Sequence, residues 1–135
     1  MHFVDTNIFI RYFTRDDPDK AKACFELFKR ARVNEITLTT TEAVISEVVY
    51  VLSSKKTYNL TRSDIRARLY PLLSVKGLRL PQRKAILHAL DLYITYNIDF
   101  EDAIVVAQME RQGINELYSY DRGFDQVLGV VRHEP

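Results

Sequence analysis

Hydrophobic and polar positions along the chain fall into two alternating rhythms. Short apolar or β-branched runs predict strands at residues 2–5, 36–40 (ITLTT), 116–120 (ELYSY) and 129–132 (GVVR), with a brief one at 78–80 (LRL) after Gly77. Between them lie stretches with apolar residues three and four apart. Ala21, Cys24, Phe25 and Phe28 follow that spacing, and Asp17-Pro18 before them supplies an N-cap and a first-turn proline, so a helix is expected to about residue 33. A short helix is expected at 8–14. Thr39-x-x-Glu42 reads as a capping box opening a helix to about 54, and Thr61-x-x-Asp64 opens another to about 74, with Pro71 as a kink or stop. Pro81 precedes a helix of about 82–96, and Asp99-x-x-Asp102 caps one of about 100–112 that Gly113 ends.

Strands alternating with helices predict a parallel sheet covered on both faces, in which ligands bind beyond the carboxyl ends of the strands. The 135 residues suffice for one domain, 1–135, and 47% hydrophobic content with eight Tyr and seven Phe predicts a packed core. A net charge of +1 makes no case for a strongly basic nucleic-acid binder and none against a local basic patch. The single Cys24 excludes an internal disulfide framework. No signal pattern and no apolar run near 18 residues occurs, so a soluble cytoplasmic protein is expected.

Acids carry the candidate chemistry. The run His2-Phe3-Val4 stops on Asp5, and a buried carboxylate is costly unless something pairs with it. Asp5 is therefore either a cap at a strand-to-helix turn or a cation ligand. Asp121 follows the strand at 116–120 in the same way, although a turn aspartate in YDRG would look no different. Glu47 has Ala43, Val44, Tyr50 and Val51 at its i±3 and i±4 positions, which predicts a side chain on the helix face that packs inward. Asp102 stands in the first turn of its helix, where an acid also complements the helix dipole. Gathered on one rim, four carboxylates repel and raise one another's pKa, and a hard divalent cation resolves this. Oxygen-only donors suit Mg²⁺ or Mn²⁺. Other chemistries lack parts: there is no phosphate-binding glycine loop, no H-E-x-x-H, no G-x-S-x-G elbow, and His2, His88 and His133 share no ligand spacing. Asp99 reads as a cap and Asp125 as a surface acid.

With Asp5-Thr6-Asn7 after the first strand, Glu47 in SEVVYVL, Asp102 in DFEDAIVVA and Asp121 in SYDRGFD, the chain resembles the PIN domain family, in particular toxin ribonucleases of the VapC type. The resemblance runs from residue 3 to about residue 132. One position departs from it: Ser119 stands where the fourth motif commonly has Thr. The resemblance implies an α/β fold, a three-layer α/β/α sandwich with a central five-stranded parallel sheet of order 3-2-1-4-5. It also implies Mg²⁺- or Mn²⁺-dependent endoribonuclease activity leaving 5′-phosphate and 3′-hydroxyl ends. A homodimer and a VapB-type antitoxin partner are implied as well. Asp5, Glu47, Asp102 and Asp121 become the catalytic and metal-holding acids, with Thr6, Asn7 and Ser119 orienting them. Arg11 and Arg122, by their position near the rim, are the candidate RNA contacts. Phe9, Tyr12 and Phe13 near the site are candidates to stack bases, with core or dimer packing the commoner role for such rings, and with Phe25 and Phe28 they are a candidate groove for an antitoxin helix. Two alternatives remain: a PIN-fold module that binds RNA or protein without cutting, and a housekeeping RNA-processing nuclease with no antitoxin.

Overall fold

The structure is a computed structural model that describes residues 1–135. It divides into two compact units, Met1–Arg83 and Lys84–Pro135.

The first unit begins with strand β1 (His2–Phe3), helix α1 (Thr6–Phe13) and helix α2 (Pro18–Arg32). Asp17 caps α2 as expected, its side chain accepting from the Lys20 N–H. Strand β2 (Leu38–Thr39), helices α3 (Glu42–Ser53) and α4 (Arg62–Leu73) and strand β3 (Leu78–Arg79) follow. The three strands form a parallel sheet of order β1-β2-β3, in register His2 to Leu38 to Leu78. Phe9, Phe28, Leu38, Ile45, Leu52, Ile65, Leu69, Leu72 and Leu78 fill the core around it. Gly77 enters β3 against the end of α2, where a Cβ would stand 2.0 Å from the Ala31 carbonyl oxygen. Only a residue without a side chain fits that approach.

Several local expectations shift in this unit. The cap of α3 is Thr41, whose hydroxyl accepts from the Val44 N–H, and not Thr39. The Thr39 hydroxyl is taken by the Arg79 carbonyl across the sheet, so strand pairing wins over the capping box. Helix α4 runs through Pro71 and ends two residues later. His2 and Phe3 are exposed, and Val4 is the residue of the opening run that is buried. The expected buried strand is thus buried only at its end. Phe9 and Phe28 are wholly in the core, so neither is a surface for a base or a partner.

The second unit holds helices α5 (Arg83–Thr95, its first residue closing the first unit) and α6 (Phe100–Gln112), strand β4 (Glu116–Tyr118), a 3₁₀ turn (Arg122–Gln126) and strand β5 (Val131–His133). Strands β4 and β5 pair in parallel, Leu117 against Arg132. Ile86, Ala89, Leu90, Ala103, Val106 and Ala107 form the apolar contact surfaces of the two helices. Gly113 closes α6 in the left-handed conformation, with the Ile114 N–H donating to the Met109 carbonyl. The chain therefore has parallel sheets of three and two strands, with the expected orders 3-2-1 and 4-5 each present. A single five-stranded sheet is not what the pairing records. No helix is long and apolar enough to cross a membrane.

Candidate functional site

In the first unit the site residues follow directly from the end of β1. The Val4 N–H donates to the Thr39 carbonyl at 2.9 Å, and the buried Thr40 hydroxyl donates to the Val4 carbonyl at 3.0 Å. Both bonds hold the backbone immediately before Asp5. Asp5 is the N-cap of α1, its Oδ1 accepting from the Asn7 N–H at 3.1 Å. One carboxylate oxygen is thereby used by the turn, and Oδ2 is left for another partner. Thr6, the next residue, donates its hydroxyl to Glu47 Oε2 at 2.8 Å. The hydroxyl thus bridges from the first motif to α3, a link over 41 positions of sequence.

Glu47 is exposed, and the expectation that it lies on the inward face is corrected. The inward stripe of α3 is Ile45, Val48, Val49 and Leu52, while Ala43 and Tyr50 are exposed beside Glu47. The helix is apolar almost all round, so spacing cannot tell which stripe faces the core. Exposure costs Glu47 less than burial would, and Thr6 supplies its orientation.

In the second unit the same device recurs. Asp121 caps the 3₁₀ turn after β4, its Oδ1 accepting from the Gly123 N–H at 2.8 Å. Its own N–H donates to the Ser119 hydroxyl at 3.0 Å, the position where the motif departs from Thr. Arg132 on β5 secures this segment from behind. It donates to the Ser119 carbonyl at 2.9 Å and to both oxygens of Asp125. The guanidinium beside Asp125 holds that carboxyl below its ordinary value. Asp125, expected as a surface acid, is exposed but paired. Sequence reasoning missed both Thr40 and Arg132, since neither lies in a motif and each acts through a partner 13 or more residues away.

Asp102 stands in the first turn of α6. Its carboxyl is pushed up from 3.8 to about 6, first by loss of solvent, then by the charges of Asp121 and Asp99, by a hydrogen bond with Asp121 and by Glu101. Asp99 occupies the N-cap position but makes no capping bond with its side chain. Its charge stays unspent at the helix end and adds to the field on Asp102. The expected cap is therefore a position without the bond.

Asp102 and Asp121 bring carboxylate oxygens from two segments together, and burial first and the neighbouring charges second raise the Asp102 carboxyl. Divalent Mg²⁺ or Mn²⁺, which prefer oxygen donors, suit that set. No group of three or more Asp, Glu, His or Cys side chains meets in a ready metal-holding arrangement. What the structure brings together is a linked set in each unit: Asp5, Thr6 and Glu47 in one, and Asp102, Asp121 and Ser119 in the other. Arg11 is half-buried on α1 and has no carboxylate partner. Arg122 is exposed in the 3₁₀ turn. His88 pairs with Glu110 and His133 with Glu116, and the His133 carbonyl accepts from the Ser119 N–H at 3.0 Å.

The family model of the PIN domain matches residues 2–129, running across both units. Among solved structures the chain is similar to VapC20 of Mycobacterium tuberculosis, described as a Sarcin-Ricin loop cleaving toxin. The TM-score is 0.42 and the identity 18%, over 93% of each chain. The comparison with curated proteins finds no match.

Proposed function

The chain belongs to the PIN domain family, and from that premise we propose that it is a metal-dependent endoribonuclease, the toxin of a toxin–antitoxin pair. The observation that carries the reading is the Asp102–Asp121 pair, two hydrogen-bonded carboxyl groups from separate segments, with Asp102 raised to about 6 first by burial and then by the Asp121 charge. Like charges so placed repel one another, and a cation held between them relieves that repulsion.

In this reading the two linked sets serve one centre. Asp5, Glu47, Asp102 and Asp121 would hold Mg²⁺ or Mn²⁺, and the two parallel sheets would be the halves of one five-stranded sheet of order 3-2-1-4-5 in a single domain, 1–135. When bound, the cation supplies Lewis acidity toward the phosphodiester and toward water. The chain's own residues do the rest. Thr6 keeps Glu47 turned toward the first motif, and Ser119 holds the backbone of Asp121. Asp5 and Asp121 each spend one oxygen on a backbone N–H, and Asp121 also hydrogen-bonds the Asp102 carboxyl. Asp102 would hold the cation as a carboxylate. Arg11 and Arg122 take phosphates of the strand on either side. Hydrolysis leaves 5′-phosphate and 3′-hydroxyl ends, with no histidine needed as base.

In this reading an antitoxin helix would dock on the cavity of about 660 Å³ lined by Tyr12, Phe13, Lys22, Phe25, Arg68 and Pro71. Tyr12 and Phe25 are stacked there, 6.1 Å between ring centroids, an apolar anchor surface with a basic margin that suits an amphipathic helix. The homodimer belongs to the same reading and is checked by light scattering of the purified protein.

The test of the activity is cleavage of a structured RNA mixture with Mn²⁺ or Mg²⁺, beside EDTA and the Asp102→Asn protein. Cutting is expected with metal only, and Asp102→Asn is expected to reduce it by about 100-fold or more while the circular dichroism spectrum stays unchanged. Cutting in EDTA, or full activity in the variant, overturns the reading.

A further inference from the structure

A second cavity, of about 440 Å³, lies between α1 and α2 and is lined by Asn7, Ile8, Arg11, Lys20, Ala23 and Cys24. Its chemistry differs from that of the larger cavity. Two cations and one amide face an apolar wall of Ile8, Ala23 and Cys24, and no acid lines it. The volume is that of a small-ligand site. Arg11 has no carboxylate partner, and the exposed Lys20 has only a loose contact at 3.9 Å to the half-buried Asp17, which holds a lysine weakly. Both cations are free to meet an anion. The cavity also adjoins the first motif, since Asn7, on its wall, is the residue whose N–H holds Asp5 Oδ1.

We propose that this cavity seats one phosphate–ribose unit of the RNA strand next to the bond that is cut, with the phosphate on Arg11 and Lys20 and the Asn7 amide on the sugar hydroxyls. The assignment rests on the nuclease reading and adds to it a strand-binding site, with Asn7 and Lys20 as contacts. No aromatic ring lines the cavity, so no base is stacked there, and the contact holds the strand in place without reading its sequence. The apolar wall packs against the sugar's carbon face.

The test measures binding of a fluorescent single-stranded oligoribonucleotide to the full-length Asp102→Asn protein in EDTA, by anisotropy across a salt series. Lys20→Ala is expected to weaken binding about 5- to 10-fold and to reduce the salt slope by about 0.7, the value for one phosphate contact on a single strand. Ala23→Phe fills the cavity without changing charge, and is expected to weaken binding with the slope preserved. Lys29→Ala removes the same charge elsewhere on α2 and is expected to change the affinity less than 2-fold. Oligonucleotides of different sequence should respond alike. If the wild-type protein cuts RNA but Lys20→Ala and Ala23→Phe match Lys29→Ala, the seat is wrong and the nuclease reading stands. If the wild-type protein neither binds nor cuts RNA with metal present, the nuclease reading fails and the seat fails with it.

Discussion

Asp102 is more protonated in the folded chain than it would be unfolded, where its carboxyl titrates near 3.8. Its folded value of about 6 reflects lost solvent first and the neighbouring carboxylates second. A raised carboxyl pKa favours folding in acid, because the folded state binds the proton more tightly. Its effect therefore sets in as pH rises from about 4 to about 6, where stability falls. For the metal-free protein in EDTA, the melting temperature should be higher at pH 5 than at pH 7.5, and Asp102→Asn should flatten that difference. At pH 7.5 the variant is expected to be more stable by on the order of 1 kcal/mol, the shift being discounted for solvent screening. A wild-type protein that melts lower at pH 5, with the variant following it, would contradict this account of Asp102. Thr40 presents the opposite case, a buried hydroxyl bonded to the Val4 carbonyl. Thr40→Val leaves that carbonyl without its side-chain donor and should cost about 1–2 kcal/mol in urea unfolding. Cleavage should fall as well, since the bond holds the backbone just before Asp5.

At the scale of elements, the approach of α2 to β3 turns on Gly77. A methyl group there would lie inside the Ala31 carbonyl, and backbone cannot give way as a flexible side chain can. Gly77→Ala is expected to cost about 3 kcal/mol or more, by displacing β3 from β2 or α2 from the sheet. Urea unfolding measures this directly, and a cost below about 1 kcal/mol would show that the helix end moves freely. Helix α2 was legible in advance, because Asp17-Pro18 and the apolar spacing agree on one answer. Helix α6 was legible to the residue, from 100 to 112, because Gly113 marks its end. Helix α3 was legible as a helix and not in its facing. Its apolar residues cover nearly the whole surface, and Glu47 proved to lie on the exposed side. Capping boxes were equally ambiguous where threonines follow one another. Thr39, Thr40 and Thr41 are alike in sequence, yet they make a cross-sheet bond, a strut to β1 and a helix cap.

For the whole molecule, the metal reading makes a thermodynamic claim apart from activity. A cation that binds only the folded chain stabilises it by mass action, and at 100 times its dissociation constant the gain is about 2.7 kcal/mol. Saturating Mn²⁺ should therefore raise the melting temperature at pH 7.5, and Asp102→Asn should lose most of the rise. Equal shifts in both proteins would mean that the ion binds elsewhere. The sequence by itself determined the alternation of strands and helices and the family, and it named the four acids on which the metal reading rests. These are local properties, carried by residue type and spacing over a few positions. Tertiary structure alone decided the rest: that Thr6 bonds Glu47 over 41 positions, that Arg132 secures the Ser119 carbonyl, that Asp99 leaves its capping bond unmade, and which side of α3 meets the core. Each depends on which distant atoms arrive at one point, and a pattern along one segment carries no record of what packs against it.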